Sequence, residues 1–296
     1  MTPMEITRSM VQTGFSPRIQ DSHKGTYGNI LSFCGSYGMA GAAFFAASAA
    51  LRCGAGLVTA ALPESIYPLV GSRLPEAVFL PLPEQQHKLT AGAETLLVDS
   101  SPRFSAAVVG CGLGQSEEIG HCLSAFFRHR NGLPTVLDAD GLNWLSRFMP
   151  DTPYFLGDAA PQNLCVTPHP AEMARLLETT PAVIQEDRVR AAETLAETLH
   201  AVVVLKGHRT VIAAEGFPTL INPTGCSGMA TGGTGDLLAG MIASLCGQGM
   251  SLYNAAISGV YLHGLAGELA SENLSEHGML PSDMLRQIPL LFRDFE

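Results

Sequence analysis

The sequence has little charge. Only 15% of its 296 residues are Asp, Glu, Lys or Arg, whereas 46% are hydrophobic. This balance supports a large buried core and argues against intrinsic disorder. Basic residues are the scarcer sign, 17 against 27 acidic residues, and the net charge is −10. A nucleic-acid partner is therefore not expected, although a local basic pocket for a nucleotide remains open.

Several sequence signatures are also missing. The number of cysteines, seven, is odd and no Cys-x-x-Cys occurs, so neither a disulfide framework nor a zinc ribbon is indicated. A reducing cytoplasm is the compartment that fits this cysteine usage. The first residues, Met1 to Val11, include Glu5 and Arg8 and do not form a signal peptide. The P-loop and Gly-x-Ser-x-Gly patterns are absent, so those two chemistries are not supported.

No hydrophobic run is long enough to cross a membrane. The strongest candidate, Met39–Pro63, is interrupted by Arg52, Gly54 and Gly56, whereas a spanning helix needs roughly 20 apolar residues without a break. The segment instead predicts a small-residue helix, Gly41–Cys53, followed by a buried strand, and no membrane partner is expected.

Short apolar runs rich in Val, Ile and Leu alternate with helical patterns along the chain. The predicted strands are Asn29–Cys34, Gly56–Leu62, Ala106–Gly110, Thr135–Asp138, Asn163–Thr167, Val202–Lys206 and Thr210–Ala214. The predicted helices are Gly41–Cys53, Glu117–His129, Ala171–Glu178, Ala182–Leu199, Asp236–Cys246, Leu252–Ser271 and Pro281–Arg293. This alternation predicts an α/β fold with a mainly parallel sheet covered by helices on both faces.

Two further features refine this fold prediction. The last two predicted strands are separated by Gly207-His208-Arg209 and form a hairpin, so part of the sheet is antiparallel. Pro150–Gln162 is polar and loop-like, but no long linker or repeat occurs. We expect a single domain over residues 1–296, with residues 1–21 as an N-terminal extension.

The most informative segment is Asn222–Asp236, with five glycines between Gly225 and Gly235. Glycine lets backbone amides crowd around a ligand, and a helix N-terminus favours an anion such as phosphate. Asp236 opens the apolar helical stretch that follows. A carboxylate beside a phosphate is unfavourable unless it has a role, and proton abstraction from an attacking hydroxyl is such a role. A flexible turn with Asp236 as a helix cap is the alternative.

Other polar residues follow predicted strands, where ligands bind in open α/β sheets. Lys206–Thr210 places cationic and hydroxyl groups on the hairpin turn. Asp138 and Asp140 either share a face of an extended strand end, or Asp140 caps a helix. His23–Gly28 either lines a ligand mouth or is a surface turn. Gly110-x-Gly112-x-Gly114 is not a dinucleotide fingerprint and fits either a ligand approach or a tight turn.

His169 lies between two prolines after a strand and forms His-x-x-Glu with Glu172. No further His or Cys at ligand spacing supports zinc. A helix that starts at Pro170, with Glu172 in its first turn, is the alternative to a metal site. Both are compatible with Glu172 holding water around a magnesium ion, since Mg²⁺ keeps most of its waters.

Taken in order, eight short segments resemble the ADP/ATP-dependent NAD(P)H-hydrate dehydratases. The segments are His23–Gly28, Gly35-Ser36, Gly41-Ala42, Asp138–Asn143, Thr167–Pro170, Val204–Gly207, Asn222–Gly225 and Gly232–Asp236. The resemblance runs from about Ser22 to the C-terminus. It implies a ribokinase-like fold and the repair of hydrated NADH or NADPH, (S)-NADHX or (S)-NADPHX, by removal of water at the expense of a nucleotide. Bacterial members typically use ADP, with release of AMP and phosphate, and eukaryotic ones use ATP.

The resemblance also implies roles for individual residues. Asp236 matches the carboxylate that contacts the hydrate and is placed to act as base, and Gly235 matches the glycine that meets the nucleotide. The remaining positions match a nucleotide-binding turn, Lys206, Gly207, His208, Arg209 and Thr210, and hydrate contacts at Ala42, Gly112 and His169. Two motifs depart from the family pattern. The usual Gly-Pro-Gly-Leu-Gly reads Gly110-Cys-Gly-Leu-Gly114, which loosens the turn, and the usual Pro-Gly-Glu reads Pro170-Ala-Glu172.

The resemblance carries expectations about partners as well. Many relatives are fused to an N-terminal epimerase domain, which the roughly twenty residues before His23 cannot hold. We therefore expect any epimerase to be a separate chain acting on the same metabolite. A homotetramer is expected because family members are commonly tetrameric. The alternatives are a small-molecule kinase of the same superfamily, acting on a sugar, a hydroxymethylpyrimidine or a thiazole alcohol, and a non-catalytic nucleotide sensor.

Overall fold

The computed structural model describes residues 3–15, 17–149, 156 and 163–295. A sheet of ten strands runs through the described part of the chain, in the order β1-β12-β11-β10-β9-β8-β7-β2-β3-β4, and β5 and β6 form a small separate hairpin. The strands are β1 (Met4–Glu5), β2 (Asn29–Phe33), β3 (Leu57–Pro63), β4 (Val78–Leu82), β5 (Glu84–Gln85), β6 (Lys88–Leu89), β7 (Ala106–Val109), β8 (Thr135–Leu137), β9 (Leu164–Val166), β10 (Val202–Leu205), β11 (Val211–Ala213) and β12 (Leu220–Ile221).

The strand directions confirm the predicted mainly parallel sheet. In the large sheet, only β11 is antiparallel to its neighbours, β10 and β12, within the described residues. The hairpin predicted from the break at Gly207–Arg209 is the β10–β11 pair. All the other neighbouring strands of this sheet pair in parallel. Their carboxyl ends therefore meet at one edge, which we call the carboxyl edge.

Helices cover both faces of this sheet. They are α1 (Arg8–Gln12), α2 (Ala40–Arg52), α3 (Tyr67–Gly71), α4 (Ala91–Ser100), α5 (Glu117–His129), α6 (Asp140–Ser146), α7 (Pro170–Leu176), α8 (Pro181–Glu186), α9 (Arg188–Leu199), α10 (Thr234–Gly247), α11 (Leu252–Leu274) and α12 (Pro281–Phe292). Among the described residues, no helix combines the length and the apolar character that crossing a bilayer requires.

The core lies in two layers, one on each face of the sheet. Along β2, Ile30 packs into the layer under α2, α10 and α11, whereas Leu31 and Phe33 pack into the layer under α4 and α5. Strands buried on both faces are continuous apolar runs, which is why they were readable from the sequence. The predicted single domain remains a prediction.

The largest difference from the predicted helices is a break at Asp187. The predicted helix Ala182–Leu199 is two helices, α8 and α9, because Asp187 leaves the helical region at φ −146° and its side chain accepts the amide of Arg190. An Asp that caps a new helix start is common chemistry. The segment Pro150–Gln162, predicted as a loop, lies outside the described residues apart from Leu156.

Several short elements were not predicted from the sequence. Strand β4 contains Pro81 and lies at the end of the sheet, where a missing backbone donor is tolerated. Strands β1 and β12 have two residues each, too few for a periodic pattern, and pair with each other in parallel.

Candidate active site

The carboxyl ends of β8 and β10, the two strands on either side of β9, bring an ion pair to the carboxyl edge. Asp138 follows β8 and Lys206 follows β10, and the Lys206 Nζ lies 2.5 Å from Asp138 Oδ1. Asp138 is only 2% exposed. Burial alone would lower the pKa of Lys206, but the Asp138 and Glu172 carboxylates raise it above its usual value. Lys206 therefore stays charged, and Asp138 has a fixed cationic partner.

Asp236 joins this pair from the first turn of α10. The N-cap of that helix is Gly233, at φ +99°, and Asp236 lies within the helix rather than at its cap. One ligand atom each of Asp236, Asp138 and Cys111 lie within 4.8 Å of one another. Burial and the charge of Asp138 raise the pKa of Asp236 to about 6, against the opposing effects of the Cys111 thiol and Lys206. A carboxylate of this kind is poised to accept a proton near neutral pH.

Cys111 acts as a neutral neighbour of the two carboxylates. A hydrogen bond with the Cys34 thiol, together with burial, raises the pKa of Cys111 well above its usual value. The thiol therefore remains protonated and donates towards Asp138, with its sulfur 4.0 Å from Asp138 Oδ2. The family pattern has proline at this position, so this donor was not expected.

A cavity of about 940 Å³ opens beside the ion pair. Its lining includes the whole predicted nucleotide-binding turn, together with Gly235, His169 and the Asn222–Gly225 segment; the turn residues are Lys206, Gly207, His208, Arg209 and Thr210. The structure therefore brings together the two groups of residues to which the resemblance assigns the nucleotide. Gly235 links the cavity to the carboxylates, because a Cβ added there would lie 3.5 Å from both Asp138 Oδ2 and Lys206 Nζ.

Arg188, which was not singled out from the sequence, supports the predicted nucleotide-binding turn by hydrogen bonds to backbone carbonyls. Its guanidinium Nη2 donates to the carbonyls of Leu205 at 3.0 Å and Lys206 at 3.2 Å, and its Nη1 donates to the carbonyl of His208. All three hydrogen bonds are therefore made to backbone carbonyls in or next to the turn. No short motif signals this role, because Arg188 is the first residue of α9 and is distant in sequence from the carbonyls.

His263 secures the glycine-rich loop in a similar way. Its Nε2 lies 2.9 Å from the Thr234 carbonyl, which can only accept, so this nitrogen carries the proton. Burial lowers the pKa of His263 to about 4, and the ring is therefore neutral at physiological pH. The first residue of α10 is thus anchored by a neutral histidine of α11.

His169 and Glu172 start α7 through a reciprocal cap. The His169 Nδ1 accepts the amides of Ala171 and Glu172, and Glu172 Oε2 accepts the His169 amide at 2.8 Å. The predicted helix start at Pro170 is therefore confirmed. Burial raises the pKa of Glu172 to about 7, despite the charge of Lys206, which lies 3.9 Å from Glu172 Oε2.

These contacts test whether the site suits a magnesium ion held by protein side chains. Glu172 already accepts a backbone amide at Oε2 and lies 3.9 Å from the Lys206 ammonium. The group formed by Cys111, Asp138 and Asp236 includes a thiol, whereas Mg²⁺ prefers oxygen ligands in octahedral geometry. Among the described residues, the carboxylates therefore do not form a closed Mg²⁺ cage.

Gly112 and Ala42 meet just after β7, whereas the residues that line the cavity follow β9, β10 and β12. A Cβ at Gly112, whose φ is +61°, would lie 2.7 Å from the Ala42 Cβ. The Gly112 carbonyl also accepts the hydroxyl of Ser36 at 2.8 Å. Because Gly112 directly follows Cys111, the two positions matched to hydrate contacts are adjacent to the carboxylate group.

Asp140 lies near enough for its charge to raise the pKa of Asp236 but belongs to a separate turn, and His23 is placed elsewhere. The chain turns at Ala139, at φ +51°, so Asp138 and Asp140 do not share a face. Asp140 is the first residue of α6 rather than its cap, and its Oδ2 accepts the amide of Gly114 at 2.7 Å. His23–Gly28 precedes the amino end of β2, opposite the carboxyl edge, and contains an exposed 3₁₀ turn. The surface-turn interpretation is the one that this placement supports.

Comparison with known proteins agrees with this geometry. Residues 30–290 match a family model described as NAD(P)H-hydrate dehydratase. The ADP-dependent (S)-NAD(P)H-hydrate dehydratase of Neisseria meningitidis is 39% identical over 275 residues, which cover 91% of this chain and 88% of that protein. The ADP/ATP-dependent NAD(P)H-hydrate dehydratase of Bacillus subtilis, co-crystallized with ATP/Mg²⁺, superposes with a TM-score of 0.84 at 31% identity and full coverage of both chains.

Longer relatives are matched over part of their length. The bifunctional NAD(P)H-hydrate repair enzyme of Moorella thermoacetica is 40% identical over 98% of this chain but only 54% of the relative. The chain thus spans about half the length of the bifunctional proteins it matches. A hydroxyethylthiazole kinase from Pyrococcus horikoshii is 14% identical with a TM-score of 0.63, which is a likeness of fold alone.

Proposed function

The chain belongs to the NAD(P)H-hydrate dehydratase family, and we propose that it uses ADP or ATP to dehydrate (S)-NADHX and (S)-NADPHX to NADH and NADPH. The observation that carries this proposal is the position of Asp236. Asp236 directly follows Gly235, which lines a nucleotide-sized cavity, and its carboxylate lies within 4.8 Å of the Cys111 sulfur, next to Gly112 and its contact with Ala42. A hydroxyl on one side and a phosphoryl group on the other would meet at this carboxylate.

The cavity suits the nucleotide for physical reasons. The turn Lys206–Thr210 contributes backbone amides and two cations, and the N-terminus of α10 adds orphan amides and a positive dipole end. The terminal phosphoryl group would lie near Gly235, where a Cβ would be in contact with Asp138 and Lys206. Donors fixed in place before the reaction stabilise charge on the transferring group most effectively.

Asp236 would start the reaction as a general base. It accepts the proton of the ring hydroxyl of the hydrate while that oxygen attacks the terminal phosphorus. An O–P bond forms to the hydrate, and the bond from phosphorus to the bridging oxygen breaks. With ADP, the electron pair leaves on AMP. The raised pKa of Asp236, about 6, suits this step because the carboxylate is mostly ionised at pH 7 yet still basic.

The phosphorylated hydrate would then eliminate phosphate. The ring nitrogen lone pair expels the phosphate by breaking the C–O bond, and loss of a proton from the neighbouring ring carbon restores the reduced nicotinamide. Phosphate is a far better leaving group than hydroxide, which is the chemical reason to consume a nucleotide. Lys206, fixed by Asp138, is placed to neutralise the departing phosphate.

The remaining assignments follow from the same arrangement. Ala42 and Gly112 would contact the hydrate beside Cys111, and His169, which lines the cavity, would contact it from the nucleotide side. Magnesium would arrive with the nucleotide phosphates as part of the co-substrate, and Glu172 would reach it only through water. A cytoplasmic homotetramer and a separate epimerase are further expectations of this proposal.

Phosphate release measured with ADP and with ATP, each with and without hydrated NADH, tests the proposal. We expect phosphate release that depends on the hydrate, together with a rise in the absorbance of reduced nicotinamide. A kinase of the superfamily would instead leave a stable phosphorylated product and no such rise. A nucleotide sensor would bind ADP and release no phosphate in the presence of hydrate.

A further inference from the structure

An exposed pair of stacked rings lies at the carboxyl edge and has no part in the site described above. The rings of Tyr37 and His87 have centroids 3.6 Å apart and are inclined by 18°. Tyr37 is 62% exposed, and His87 is also exposed. A flat aromatic face open to solvent is the feature on which nucleic-acid bases stack.

The position of the pair is fixed by the sheet. Tyr37 lies in the loop after β2, and His87 lies in the β5–β6 hairpin, which follows β4. Strands β7, β2, β3 and β4 are consecutive in the sheet, and the cavity lies at the other end of the strand order, around β10 and β12. Three strand spacings of about 4.8 Å separate β7 from β4, or roughly 14 Å. Asp236 therefore lies between the nucleotide cavity and the aromatic pair.

The N-terminus of α2 lies between Gly112 and the aromatic pair. Its N-cap, Met39, makes no side-chain capping hydrogen bond. A Cβ added at Gly38 or Gly41 would meet nothing within 4 Å, so this end of the helix faces open space. The first amides of a 13-residue helix can accommodate a phosphate group. Ser36 ties the same loop to Gly112 through its 2.8 Å hydrogen bond.

We propose that Tyr37 and His87 form a stacking platform for the distal adenine of the dinucleotide hydrate. This inference rests on the proposed function, because it takes the hydrated ring to lie at Asp236. The diphosphate then lies at the N-terminus of α2, and the adenine reaches the rings beyond it. A dinucleotide suits this row of sites because two riboses and a diphosphate separate its two bases. The adenine of ADP or ATP occupies the cavity on the opposite side of Asp236.

Truncation of the substrate tests the platform. Hydrated NMNH, a mononucleotide, has the reacting ring but lacks the adenine. We expect Tyr37→Ala to raise KM for hydrated NADH about tenfold, the scale of one lost base–aromatic stack, with kcat little changed. The KM for hydrated NMNH stays at the wild-type value. Tyr37→Trp restores the KM for hydrated NADH, and His87→Ala raises it by a smaller factor.

Phe217→Ala is the matched control. Phe217 is 52% exposed and lies against Tyr253 with ring centroids 4.6 Å apart, but it belongs to the β11–β12 turn at the opposite edge of the sheet. This variant is expected to leave both KM values unchanged. Equal changes for the two hydrates in Tyr37→Ala, or no change for either, would overturn the platform.

Binding without turnover separates this inference from the proposed function. Calorimetric titration of the intact protein with each hydrate, in the absence of nucleotide, gives the same comparison of affinities. A wild-type protein that binds hydrated NADH more tightly than hydrated NMNH through Tyr37, but never releases phosphate, would contradict the proposed function alone. A wild-type protein that turns over both hydrates with equal KM would contradict the platform alone.

Discussion

The two ends of helix α10 lie in opposite environments. Its first turn carries Asp236, which lies beside Asp138 and Lys206 in a largely buried group of charged side chains. Further along, the helix packs closely on α2: a Cβ at Gly240 would lie 2.1 Å from the Ala46 carbonyl, and Ser244 donates to the Ala50 carbonyl at 2.7 Å. One helix thus holds a carboxylate of raised pKa in its first turn and a close backbone contact further along.

The difference between the ends has a physical reason. A buried carboxylate with a raised pKa is less stable in the folded protein than in water, so something else must hold it in place. The close α2–α10 contact supplies that support without polar groups near the reacting atoms. Substitutions in the first turn are therefore expected to change activity, and substitutions at the α2 contact to change stability.

The largest effect is expected for Asp236→Asn. Loss of a general base lowers kcat by on the order of 10²-fold or more, while ADP still binds. Stability moves the other way. The pKa of Asp236 is raised to about 6 in the folded protein. Ionisation of this carboxyl therefore lowers the free energy of unfolding as the pH rises through that value. At pH 7 the variant is expected to unfold at a higher temperature than the wild type, and at pH 4 the difference disappears.

Asp283→Asn serves as the control for this prediction. Asp283 also lies in the first turn of a helix, α12, where its Oδ2 accepts the Leu280 amide at 2.9 Å. Its loss is expected to lower the unfolding temperature slightly and to leave kcat unchanged. Near wild-type turnover in Asp236→Asn would remove the proposed role of the carboxylate.

The second prediction concerns the other part of the helix. Gly240→Ala introduces a methyl group against backbone, which α2 can accommodate only by moving away, and we expect a loss of about 3 kcal/mol in unfolding free energy. Helix propensity alone would favour alanine by about 1 kcal/mol. The same change at Gly41, where a Cβ meets nothing within 4 Å, is therefore expected to be neutral or stabilising.

Thermal unfolding of the two alanine variants checks this prediction. A drop of several degrees is expected for Gly240→Ala only. Equal unfolding temperatures for the two variants would mean that the α2–α10 contact does not provide the support inferred above.

The sequence predicted much of this arrangement, for identifiable reasons. Strands such as β7 and β10 are fully apolar, and parallel topology then places the turns that follow them on one edge. The glycine-rich run before Asp236 is local in sequence, so it was readable directly. The breaks at Asp187 and Ala139 were not, because each depends on a single backbone angle rather than on a periodic pattern.

The contacts that the sequence did not predict join residues far apart in the chain. Lys206 and Asp138 are 68 residues apart, and neither residue type indicates its partner. Packing likewise sets which three carbonyls Arg188 donates to and which one His263 donates to. The shared face considered for Asp138 and Asp140 is not formed, because strand β8 ends at Leu137 and the chain turns at Ala139.

The third prediction concerns Arg188, which supports the proposed nucleotide-binding turn from outside the active site, as the α2–α10 contact supports Asp236. Arg188→Ala leaves the carbonyls of Leu205, Lys206 and His208 without their common donor. We expect KM for ADP to rise about tenfold, with a smaller effect on kcat. The reason is that the turn is proposed to bind the nucleotide and not the reacting hydroxyl group of the hydrate. Added guanidinium at low concentration is expected to restore part of the affinity. Equal losses of kcat and kcat/KM would place Arg188 in the chemical step instead.

The smallest expected effect is a shift in pH dependence, and it tests the charges around Asp236 most directly. In the wild type, kcat is expected to fall tenfold per pH unit below about 6, as the base becomes protonated. Asp138→Asn removes a negative neighbour and leaves the Lys206 charge uncompensated, and both changes favour ionised Asp236. The acid limb of the kcat profile is therefore expected to move to lower pH in this variant, even where kcat itself is reduced. A limb that stays in place would mean that the Asp138 charge does not help to set the pKa of Asp236, and a limb that moves up would mean that another group titrates.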